Sequence, residues 1–75
     1  MSQGIVVAFV VDPTTGEFQE ESLAFYSLSD NPIKRAEQVE AQFKGGMKGW
    51  GKKRKEFGQK VLDEGMTLKF VPIIV

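Results

Sequence analysis

The 75-residue chain contains no cysteine and no histidine. Without cysteine there is no disulfide and no thiolate metal site to staple a small fold. Without histidine the usual general base near neutral pH and the commonest zinc ligand are both missing. Ser-His-Asp, Cys-His and histidine–metal chemistry are excluded together. Tryptophan and tyrosine occur once each. The longest apolar run, Ile5–Val11, is too short to span a bilayer. It lacks the basic flank and the small-residue cleavage site of a secretory signal, so the expected compartment is the cytoplasm.

What is present suits one small globular domain covering residues 1–75. Hydrophobic residues make up 41% of the chain and charged residues 27%, ordinary values for a folded protein. A domain this short buries only about 60% of its unfolded surface. It must rely on its own core or borrow core from a second copy.

Formal net charge is zero, yet the sign is segregated. Residues 1–43 carry two basic and seven acidic side chains, net −5; residues 44–75 carry eight basic and three acidic, net +5. Such asymmetry is the mark of a basic binding face, of packing between copies, or of balance within the chain.

Ile5–Val11 is a β-branched run without helical period and reads as a strand buried on both faces. Asp12-Pro13-Thr14-Thr15-Gly16 reads as a hairpin turn. The second strand runs from about Glu17 to Leu28. Its acidic first part, with Phe18 inward, overhangs the core or bulges. In its second part Leu23 and Phe25 alternate with Ala24, Tyr26 and Leu28.

Pro32 fits the first position of a helix capped by Asp30 or Asn31. Ile33, Ala36, Val39, Phe43 and Met47 form its apolar stripe, and Gly45-Gly46 ends it. A second helix over Lys52–Glu64 has the stripe Trp50, Phe57 and Val61, with the stem of Arg54 between them. Gly58 beside Phe57 implies close approach of another element, at about 1 kcal/mol against alanine. Gly65 stops the helix, and Thr67–Val75 is the last strand, placed at an edge by Pro72.

The expected fold is α+β, in the order ββααβ. It has a three-stranded mixed sheet of order 2-1-3 with two helices on one face. An out-and-back pair of helices makes the third strand parallel to the first. One helical layer covers one sheet face, so a homodimer burying Val6, Val10, Val71 and Ile73 between copies is expected.

The most biased stretch is Lys44–Gly58, with six basic residues, five glycines, the tryptophan and one acid, Glu56. Gly46–Lys53 matches most of a P-loop, but Lys53 stands where the magnesium-binding Ser or Thr is required, and the segment follows a helix instead of a strand. A weaker form of the same physics remains. Convergent N–H groups at a helix start, surrounded by Lys48, Lys52, Lys53, Arg54 and Lys55, suit phosphate. Trp50 is either a stacking platform for an unpaired base or part of the core.

Glu17, Glu20 and Glu21 read as a charged overhang that discourages edge pairing, not a metal or catalytic cluster. No catalytic residue, metal ligand or cofactor is expected. The sequence points to a small non-enzymatic binding module. Nucleic acid is the leading partner, contacted through Lys48, Trp50, Lys52, Lys53, Arg54 and Lys55. The alternative is a protein-interaction or inhibitor module using the apolar sheet face or the acidic hairpin.

Overall fold

A computed structural model describes residues 3–75. The elements follow the order ββααβ: β1 (Gly4–Val11), β2 (Phe18–Ser29), α1 (Pro32–Lys44), α2 (Lys52–Asp63) and β3 (Thr67–Ile74). The three strands form one sheet of order β2-β1-β3, with the most apolar strand in the middle. The fold is α+β, as the pattern of elements implies.

Both neighbours of β1 run antiparallel to it. The sheet is therefore antiparallel at each pairing, not mixed, and β3 is not parallel to β1. The reason lies in the helices. β2 ends beside Gly4, where Ser29 is its partner, and β3 begins beside Val11, where Thr67 is its partner. Residues 30–66 thus carry the chain from one end of the sheet to the other once. Arg54 in α2 lies over the Phe25 ring, and Lys60, further along the helix, pairs with Glu21. Hence α2 travels along β2 towards the Val11 end and delivers the chain to Thr67. It does not retrace α1.

Both helices nevertheless cover the same face. Val39 of α1 and Val61 of α2 join one buried cluster with Val6, Ala8, Val10, Phe25, Leu68 and Phe70. In an antiparallel ladder directly opposed residues share a face. The pairs Val6↔Phe25, Ala8↔Leu23, Ala8↔Phe70 and Val10↔Leu68 build the core side. The pairs Val7↔Ala24, Val7↔Val71, Ile5↔Ile73 and Phe9↔Lys69 build the opposite side. Val6 and Val10 therefore belong to the core and cannot line one surface with Val71 and Ile73.

Two details of β2 and β3 follow from the ladder. The register slips between Phe9 and Val11, opposite Ser22 and Phe18. This is the irregularity implied by the acidic start of β2. Phe18 does not point inward: it lies on the open face, 52% exposed, with its ring centroid 5.5 Å from that of Phe9. At the other edge, the Val75 amide donates to the Gln3 carbonyl at 2.9 Å. Alternation from that bond turns the Pro72 nitrogen outward. Its missing N–H removes nothing from the ladder.

The helix ends are set locally. Asn31 Oδ1 accepts from the Lys34 amide at 3.1 Å, and Pro32 occupies the first helical position. At the far end Gly46, with φ +93°, turns the chain. The Gly46 amide donates to the Phe43 carbonyl at 3.3 Å, and the Met47 amide to the Gln42 carbonyl at 2.6 Å. The same Schellman arrangement recurs after α2. There the Gly65 and Met66 amides donate to the Leu62 and Val61 carbonyls, both at 3.0 Å. In α1 the buried stripe is Pro32, Ala36, Val39 and Phe43. Ile33, one step round the helix, is 61% exposed.

Candidate nucleic-acid interface

The segment between the helices, 45–51, is shaped by two apolar side chains. Met47 and Trp50 are both buried, 6% exposed each. The Trp50 amide donates to the Met47 carbonyl at 3.2 Å, closing a turn between them. Met47 has φ +63°, a left-handed conformation that disfavours an L side chain by about 1–2 kcal/mol. Burial of its thioether offsets this, since a fully buried Met side chain gains about 1.5–3 kcal/mol.

Trp50 is a core residue. Its ring stacks on Phe43 with centroids 5.9 Å apart, and meets Phe25 edge-on at 5.3 Å and Phe70 at 6.2 Å. Its Nε1–H donates to Gln42 Oε1 at 3.0 Å. At 6% exposure the indole has no face open to solvent for an unpaired base, so Trp50 is core and not a stacking platform. The apolar stripe it shares with Phe57 and Val61 prevails over its glycine-rich surroundings. Sequence reasoning misses Gln42. A glutamine beside Phe43 on a polar helix flank carries no sequence signal that it will hold an indole eight residues on.

With Met47 and Trp50 turned inward, the basic side chains point out. Lys48, Lys52, Lys53 and Lys55 are exposed. Arg54 is half-buried, its guanidinium carbon 4.2 Å from the Phe25 ring centroid. It closes the edge of the core through a cation–π contact, and its charge still sits within the first turn of α2. The ion pairs among the described residues are Lys44–Glu40 at 2.9 Å and Lys60–Glu21 at 3.9 Å. Neither involves Lys48, Lys52, Lys53, Arg54 or Lys55.

The helix start itself lacks a cap. Gly51 at the N-cap is extended, with φ −67° and ψ 165°, and supplies no side-chain hydrogen bond; no acid stands in the first turn. The first intrahelical bond is Lys55 N–H to the Gly51 carbonyl, at 3.0 Å. The amides of Lys52, Lys53 and Arg54 precede it and have no intrahelical acceptor. Cations here oppose the helix dipole. An anion at the same place would relieve both the dipole and the charge crowding.

Other chemistry is poorly provided for. Among the described residues no group of three acidic side chains stands where it could hold a metal. A shallow surface pocket of about 200 Å³ lies on α1, lined by Glu37, Glu40, Ala41 and Lys44. It is smaller than the roughly 300–1,000 Å³ usual for small-molecule sites. Among the described residues no helix is long and apolar enough to cross a membrane. No protein-family model, curated protein or solved structure matches the chain.

Proposed function

We propose that the protein is a small, non-enzymatic, cytoplasmic binding module that contacts nucleic-acid phosphates through Lys48, Lys52, Lys53 and Lys55, with Arg54 adding its charge from the edge of the core. The observation that carries this reading is the start of α2. Exposed lysines without an acidic partner surround a helix terminus that has neither a cap nor an acid in its first turn. The lysines would meet phosphate oxygens and the first-turn amides would add directed donors. With Trp50 buried the start of α2 presents no aromatic ring for stacking, so binding there is sequence-independent and makes little distinction between single and double strands.

Salt dependence tests it. Each phosphate contact releases a counterion and contributes about 0.7–0.9 to the log–log slope, so four lysines give a slope of about −3 to −4. Replacing Lys52 and Lys53 by alanine lowers affinity for all sequences alike and makes the slope shallower by about one to two units. Fluorescence anisotropy on labelled single- and double-stranded oligonucleotides reads both quantities. Absence of binding at low salt, or an unchanged slope in the variant, refutes the reading.

A second reading is supported by a different observation. The sheet face away from the helices exposes Phe18, Tyr26, Leu28 and Ile73. A contiguous apolar face of this kind suits a protein partner, whether or not the basic helix start meets nucleic acid.

A further inference from the structure

We infer that the open face of the sheet is closed by a second copy of this chain, in a two-fold dimer with sheet packed on sheet. The inference rests on the second reading above and is independent of phosphate binding. Strand alternation sets up the face. β1 presents Val6, Ala8 and Val10 to the helices and Ile5, Val7 and Phe9 to the other side. Val71 and Ile73 flank them on β3, and Ala24 and Tyr26 on β2. A sheet with water on one side normally carries polar residues there; here they are confined to the hairpin end, at Ser22 and Lys69 opposite Phe9, and the rest of the face is apolar.

Three considerations identify the occupant. The first is area. Phe18 at 52%, Tyr26 at 77%, Leu28 at 60% and Ile73 at 37% exposure, with their half-buried neighbours, offer roughly 600 Å² per copy on ordinary side-chain areas. Two such faces bury about 1,200 Å², the lower end of the range for specific complexes. The second is charge. The centre of the face has none. Lys69 sits towards the hairpin end, its Nζ 5.7 Å from the Phe18 ring centroid, and Glu20 follows two residues after Phe18 on β2, on the far side of β1 from Lys69. Such a surface gives an acidic or a basic partner nothing to recognise, whereas an apolar face matches its own copy. The third is stability. Without cysteine, a domain of this size gains most simply by extending its core across an oligomer interface. Aligned sheets packed about 10 Å apart do that, with side chains of both inner faces interdigitating.

Sedimentation equilibrium from micromolar to millimolar concentration tests the inference. The wild type is expected at twice its 8.4 kDa chain mass, and the Tyr26→Lys/Ile73→Lys variant at the monomer mass with an unchanged far-ultraviolet spectrum. If the double variant loses its helical signal, Tyr26→Lys alone carries the same test at a side chain already 77% exposed. A wild-type monomer throughout, or a folded variant that still dimerises, overturns the inference. An apolar dye separates its failure from that of the underlying reading. A monomer that binds the dye, and loses it in the variant, removes the second copy and keeps the face as a docking surface. A monomer that does not bind the dye removes both.

Discussion

Trp50→Ala lowers the stability of the domain by about 3–5 kcal/mol, the usual range for removing a buried Trp or Phe side chain. The magnitude follows from its neighbours. The indole touches three other aromatic rings, from α1, β2 and β3, so its removal opens a cavity bordered by three elements at once. It also leaves Gln42 Oε1, which accepts from the Trp50 Nε1–H at 3.0 Å, without its donor in a partly buried place. Stability scales as about 0.05–0.15 kcal/mol per residue, which for this length is about 4–11 kcal/mol in total. The substitution therefore removes much or all of it. Urea unfolding followed by far-ultraviolet circular dichroism is the suitable measurement, because the variant lacks the only tryptophan. A change under about 0.5 kcal/mol, the level of an ordinary surface substitution, would contradict the assignment of Trp50 to the core.

Gly58→Leu is the second large effect, a loss of about 3 kcal/mol, the upper end of the usual overpacking range. A Cβ at this position would overlap the Met47 thioether and lie 3.4 Å from both the Phe43 and Trp50 rings. The Met47 thioether ends a flexible side chain, but at 6% exposure it can shift only against packed neighbours, and leucine adds three more carbons beyond the Cβ. Leucine is a far better helix former than glycine, by close to 1 kcal/mol, so propensity alone predicts a gain in stability. The two expectations differ in sign, and thermal unfolding of the variant separates them. A raised midpoint would mean that α2 is not pressed against the 45–51 segment.

The same pair of residues shows how far sequence reasoning reaches. Gly58 stands where the stripe calls for a side chain, and that local conflict correctly announces a close contact. Which element makes the contact, the Met47–Trp50 turn, is a tertiary fact with no local signal. Helix ends were legible because the Schellman glycines Gly46 and Gly65 have few substitutes. Strand order was legible from the apolar excess of β1. Strand direction was not. It depends on how far α2 carries the chain, and a helix's length does not tell whether it retraces its predecessor. Strand direction also decides how Val6 and Val10 face relative to Val71 and Ile73. Without the antiparallel register, which side of β1 meets which side of β3 is undetermined. Ile33 and Phe18 fail for a related reason: each is apolar and at the fringe of a stripe, where Pro32 in one case and a register slip in the other decides the facing.

Within the basic segment, the sequence marked the charge cluster but not the division of labour in it. Lys48, Lys52, Lys53 and Lys55 are solvent-exposed, Arg54 is shared with the Phe25 ring, and Trp50 is withdrawn into the core. A glycine-flanked aromatic between lysines looks alike whether it faces water or the core. Only the i, i+7 relation to Phe57 favours burial.

The most direct test of the phosphate reading is a backbone-amide titration by nuclear magnetic resonance, with a short oligonucleotide added at low salt. If the start of α2 receives phosphate, the largest shifts fall on the amides of Gly51, Lys52, Lys53 and Arg54, and they collapse as salt is raised. Shifts confined to the strands, or none at all, would contradict the account.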